Sequence, residues 1–179
     1  GAEFSVQQNI ALGNQSYDNR FLAVDMEWAF AQSDIDIKDR IPRTRIDLVL
    51  VDTIPNEQGL NDIYLAELKV GTVATEGTSG TIDHVEKTFR LINTEKACQD
   101  LKEDVTNIIN VKSELGIYTG TAKQFNLADK PKMMLILAYR GEEEHKRLLK
   151  DSTAAQEKAK ELGMDEIKIV MHNALIKLD

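Results

Sequence analysis

Cysteine is nearly absent from this 179-residue chain. A single Cys98 excludes an internal disulfide framework and any zinc site built from several thiolates. Thiol usage of this kind fits a cytoplasmic protein, which is the expected location. Three prolines and ten glycines are too few for a linker-rich or low-complexity chain, and no internal repeat is visible. Long apolar runs are missing too. The longest, Met133 to Tyr139, is far too short to cross a bilayer, and no basic segment followed by an apolar one opens the chain as a secretory leader would. Positive charge is also in deficit, with 22 Lys and Arg against 30 Asp and Glu, a net of −8. That is the wrong sign for a chain whose main task is gripping phosphates, although whole-chain charge hides local patches. Autonomous, tight DNA binding is therefore not expected, and a partner domain or subunit would supply the grip.

What is present suits one α/β domain with a real core, since 42% of the residues are hydrophobic. Gly1-Ala2-Glu3-Phe4 reads as a cloning remnant, which leaves residues 5–179 as a single domain cut from a longer protein. A short helix is expected around Val6 and Ile10, stopping at Gly13. Strands are expected at 21–30, 45–54, 60–70, 132–140 and 166–171, from their aliphatic, aromatic and β-branched content. Ser33 to Arg43, with alternating charges and Pro42, reads as a loop or ragged strand extension, and GTVATEGTSGT from Gly71 as a second loop. Val85, Phe89, Ile92, Ala97, Leu101, Val105, Ile108 and Leu115 form a helical stripe that Asn93 caps or breaks and Gly116 stops. Gly141 to Gly163 reads as a charged amphipathic helix between two strands, the pattern of a parallel crossover. The sum is a mixed central sheet flanked by helices.

Within this pattern, RIDLVLVDTIPNEQGLNDIYLAELKVG (residues 45–71) puts Asp47, Glu67 and Lys69 inside runs that otherwise read as buried strand. A carboxylate in such a run is costly unless something pairs it. A hairpin closed by Pro55 to Gly59 pairs Ile54 with Leu60 and, in the same register, Asp47 with Glu67. Opposed residues have Cβ atoms roughly 4.5–5.5 Å apart on one face. Two carboxylates that close repel each other and raise a pKa unless a cation lies between them. Mg²⁺ accepts carboxylate oxygens at about 2.0–2.1 Å and keeps several waters, which suits such a cradle. Lys69 points to the same face, in reach of a phosphate oxygen. The competing reading is a solvated ladder of cross-strand ion pairs including Arg45, worth little energetically. Apolar residues on both faces of the hairpin argue against it.

The arrangement R-I-D-L-V-L-V, a hairpin, then Y-L-A-E-L-K resembles the PD-(D/E)XK, or restriction-endonuclease-like, nuclease superfamily. Asp47 matches its first position, Glu67 its second and Lys69 its third, while Ile46 stands where the superfamily's name has proline. The likeness spans Phe21 to Met171 as topology, with its motif confined to residues 45–69. It implies a restriction-endonuclease-like core in βββαβαβ order and a metal-dependent nuclease acting on nucleic acid, with DNA as the expected substrate. It further implies Mg²⁺ or Mn²⁺ on Asp47, Glu67 and the backbone carbonyl of Leu68, and a catalytic role for Lys69. Glu27, in V-D-M-E-W, resembles the further acidic residue many members place before the Asp strand. It would hold a second ion or a water network, with Asp25 on the same face as a salt-bridge partner.

Other signals are weaker. His84 stands where a loop over the site would bring it near phosphate, although a lone His is more often structural. Gln99 lies where some members carry a Gln followed by a Tyr, but Glu103 replaces the Tyr. Gly71 to Gly80 lacks the G-K-[ST] ending of a phosphate loop, so no ATP site is expected. Trp28 and Cys98 read as core. Two alternatives remain open: an RNase on the same scaffold, and a catalytically inert module with this fold that binds a protein partner. A homodimer or a larger assembly is compatible with either, and no membrane partner is expected.

Overall fold

The computed structural model describes residues 2–30, 45–71 and 80–173. The expected loop at 33–43 and most of the one from Gly71 lie outside those residues. The elements are α1 (Ala2–Gly13), β1 (Phe21–Ala29), β2 (Arg45–Asp52), β3 (Ile63–Val70), α2 (Thr81–Ile92), α3 (Glu95–Glu114), β4 (Lys132–Tyr139), α4 (Glu142–Glu161) and β5 (Lys168–Asn173). They form an α/β structure in which one five-stranded mixed sheet, ordered β1-β2-β3-β4-β5, is flanked by helices. β1–β2 and β2–β3 are antiparallel; β3–β4 and β4–β5 are parallel. No helix among the described residues is long and apolar enough to cross a membrane.

Strand alternation sorts the core into two faces. On one face, Leu48, Leu50, Ala66, Leu68, Met134 and Ile136 pack against Ile10 and Ala11 of α1. On the other, Val49, Val51, Ile63 and Leu65 meet Leu91, Leu101, Val105 and Ile109 of α2 and α3. Met133, Leu135 and Leu137 of β4 continue that face beneath Leu148, Ala155 and Ala159 of α4. The hairpin β2–β3 is thus covered on both sides, as its continuous apolar content requires.

Helix ends follow their residues. Asn93 breaks the long stripe into α2 and α3: its backbone and side-chain N–H groups both reach the Phe89 carbonyl. Gly116 ends α3 with φ +67°, where Ile117 N–H returns to the Lys112 carbonyl.

Strand boundaries differ from expectation at the β2–β3 connection and at β5. The β2–β3 register is as read, with Leu48 opposite Ala66 and Val51 opposite Ile63. The connection, however, runs over residues 53–62 rather than 55–59, so Ile54 and Leu60 do not pair in the ladder. Asp52 turns its carboxylate onto Ile54 N–H, Asn56 accepts from Gln58 and Leu60 N–H, and Asn61 bridges to Leu127 instead. β5 begins two residues late because the Gln156 side chain takes both backbone groups of Ile167.

Candidate functional site

The β2–β3 ladder ends at Leu48–Ala66, one pair short of Asp47–Glu67. There Asp47 inserts its carboxylate between the strands, and Oδ2 accepts Leu68 N–H at 2.8 Å. On its other side β2 is interrupted as well. Met26 opposes Leu48 and Trp28 opposes Ile46, while the Asp47 carbonyl accepts from Gln7 Nε2 of α1 at 2.6 Å. Asp47 therefore stands where both ladders open. The Leu68 carbonyl leaves β3 on the same edge as its N–H and so faces that gap.

Glu67 lies on the α2 side, 5% exposed, with both oxygens engaged. Lys69 Nζ lies 2.5 Å from Oε1, and His84 Nδ1, from the first turn of α2, lies 3.0 Å from Oε2. Lys69 is itself buried. Burial, reinforced by the charge of Glu67, pushes the Asp47 carboxyl up from its usual range to about 7, against the opposing pull of Leu68 N–H and Lys69. Lys69 is thus paired with the buried Glu67 and acts through its field on the half-buried Asp47.

Glu27 does not join this group. Its carboxylate is held by Gln7 Nε2 at 2.9 Å and by Arg45, and its φ of +60° is a left-handed conformation uncommon outside glycine. Nor do Asp25 and Glu27 behave as two residues on one face. The register shifts between Ala23 and Asp25. Val24 and Trp28 pack toward α2 and α3 whereas Met26 packs toward α1. Asp25 acts electrostatically on Lys112 of α3, while Glu27 is bonded to α1. The register shift lies ahead of both residues; the alternation breaks at Glu27 itself, at its positive φ and where no pair forms with Asp47, and a period-two reading cannot see it.

Gln99 is exposed on α3 and bonds Glu95. Cys98 is half-buried at the α2–α3 junction with Sγ toward the Ile92 carbonyl. Trp28 is buried, its Nε1 donating to Asp104 at 2.9 Å. Two residues gain weight that the sequence reading did not assign them. His84 contacts Glu67 itself rather than standing over the site. Gln7, which no sequence argument singled out, is 3% exposed and ties α1 to both Glu27 and Asp47. Its signal was a polar side chain within the helical stripe of Ile10 and Ala11.

Among the described residues, no group of three or more His, Cys, Asp or Glu side chains is placed to hold a metal ion. Set beside known proteins, the chain matches no family model, no curated protein and no solved structure.

Proposed function

We propose that this chain is a metal-dependent nuclease of the PD-(D/E)XK type, hydrolysing phosphodiester bonds in nucleic acid, with DNA as the substrate. The observation that carries the reading is the opened end of the β2–β3 hairpin, where a half-buried Asp47 lies in the gap between the strands, within the field of the buried Glu67 and Lys69, and one lysine faces two carboxylates. The order of three antiparallel strands followed by two parallel ones, with Asp on β2 and Glu-x-Lys on β3, supports a restriction-endonuclease-like core.

The residues fit a divalent cation by the chemistry of their donors. A carboxyl held at about 7 by burial and a neighbouring carboxylate marks a place where added positive charge is favourable. Asp47, Glu67 and the Leu68 carbonyl would hold Mg²⁺ or Mn²⁺, hard cations that prefer oxygen. When bound, such an ion lowers the pKa of water and offsets charge on the scissile phosphate. Lys69 supplies what the carboxylates cannot: an ammonium fixed beside Glu67, able to orient the attacking water and to meet the charge that grows on phosphate oxygens. Asp47, hydrogen-bonded through one oxygen to Leu68 N–H, would offer its other oxygen to the ion. Glu27, neutralised by Arg45, acts at most on the surrounding polar network.

One observation favours a second reading, the inert interaction module. Lys69 and His84 already satisfy both Glu67 oxygens, and a carboxyl at about 7 is half neutral at neutral pH, so the cluster can persist without an ion. Nicking of supercoiled plasmid and degradation of single-stranded DNA and RNA, with Mn²⁺ or with chelator, separates the two. The nuclease reading expects Mn²⁺-dependent cleavage that Asp47→Ala abolishes. No cleavage of any of the three, with Mn²⁺ heats unaffected by Asp47→Ala, favours the module. Cleavage of RNA alone moves the substrate and keeps the chemistry.

A further inference from the structure

His84 is the one side chain from a helix that reaches the Glu67 carboxylate among the described contacts. It lies in the first turn of α2, directly after residues 72–79, and is mostly buried, with 20% of its side chain exposed. Glu67 has three rotatable side-chain bonds. Lys69, two residues along the same strand, fixes Oε1 but comes from a flexible chain on the same element. The contact of His84 Nδ1 with Oε2 comes from a different element and a stiff ring, so it fixes the plane of the carboxylate relative to α2. Each carboxylate oxygen can accept more than one partner, so an oxygen bonded to His84 still has capacity for an ion.

Resting on the nuclease reading above, we infer that His84 is a positioning residue: it holds Glu67 in the orientation that binds the divalent cation. Groups that orient a metal-binding carboxylate or imidazole characteristically change metal affinity when removed, by about 10–100-fold. A role limited to packing α2 on the sheet would lower stability and leave metal affinity alone.

The test compares wild type, His84→Ala and His84→Asn in the full chain. The asparagine amide can place an N–H donor close to where Nδ1 stands, whereas alanine cannot. Three quantities are read: Mn²⁺ affinity by calorimetry, the melting temperature of the metal-free protein, and the Mn²⁺ concentration and DNA KM for half-maximal cleavage. The expected result is Mn²⁺ affinity about 10–100-fold weaker in His84→Ala, a matching rise in the Mn²⁺ needed for cleavage, an unchanged DNA KM, and recovery of most of the affinity in His84→Asn. Wild-type affinity in His84→Ala overturns the inference and leaves the nuclease reading standing. So does tighter binding, the outcome if His84 merely competes with the ion for Oε2, or a His84→Asn no better than alanine while equally well folded. Wild type that binds no Mn²⁺ overturns the inference together with the metal reading on which it rests.

Discussion

The hairpin β2–β3 carries buried or half-buried carboxylates at both of its ends, and the two ends are built differently. At the loop end, Asp52 and Asp62 are 4% and 7% exposed, and each has its own cation and its own neutral donor. Arg20 and Ile54 N–H serve Asp52; Lys132 and the Asn56 amide serve Asp62. Every oxygen has a partner, and the charges cancel in pairs. At the opposite end Asp47 and Glu67 share one lysine, and His84 adds charge only when protonated. Asp47 keeps one oxygen without a hydrogen-bond donor among the described residues. The first arrangement closes a loop. The second leaves an electrostatic deficit that a cation would remove, and on the proposed nuclease reading this difference separates structural from metal-binding carboxylates within one pair of strands.

Substitutions break the comparison in decreasing order of effect. The largest falls on cleavage. Asp47→Ala should abolish it, and Lys69→Ala should lower it by about 10²–10³-fold, as expected when one group stabilising transition-state charge is lost. Lys69→Ala should keep its Mn²⁺ binding, because the ligand atoms remain. Glu27→Ala, which removes a carboxylate already balanced by Arg45, should fall well short of the lysine variant; single-turnover rates on one DNA substrate rank the three.

The next effect is on stability and has a definite sign with pH. Asp47 titrates at about 7 in the folded protein against 3.8 when unfolded, so between these values the folded state binds more protons. Its contribution is fully present below pH 3.8, declines as pH rises, and is lost above about 7. Three pKa units correspond to roughly 4 kcal/mol. Asp47→Asn, which retains an acceptor for Leu68 N–H, should therefore melt higher than wild type at pH 8 in chelator and lose the advantage toward pH 4. A melting temperature lower than wild type at pH 8 would mean that Asp47 is paired like the loop-end carboxylates.

How much of this was legible beforehand depended on whether a local period could carry it. The Leu48–Ala66 to Val51–Ile63 register followed from closing the hairpin about Glu57, and the two covered faces from the apolar residues on both; Asp47, Glu67 and Lys69 stood out because charge interrupts apolar strands. Contacts between distant elements left no such mark. His84 meets Glu67 because α2 crosses that face, and Gln7 meets Asp47 because α1 crosses the other; neither spacing exists along the chain. The shared face assigned to Asp25 and Glu27 failed at the left-handed backbone of Glu27, and the hairpin loop was longer than read because Asp52, Asn56 and Asn61 use side chains in place of the ladder.

At the loop end, Asp62→Ala should cost about 1–3 kcal/mol through the lost Asn56 and Lys132 bonds, less than breaking a fully buried pair because Lys132 is partly exposed. Cleavage should stay at the wild-type rate, with denaturant melts and nicking assays read on the same samples. The smallest effect belongs to the exposed Lys102–Asp129 pair, where Lys102→Ala should shift stability by less than about 0.5 kcal/mol.

Calorimetric titration of Mn²⁺ into the metal-free wild type and into Asp47→Ala at pH 7.5, with both shown to be folded by melting, tests the electrostatic deficit most directly. The account predicts a saturable heat in the wild type that Asp47→Ala abolishes or weakens severely. Identical isotherms in the two proteins, or no binding by a folded wild type, would contradict it.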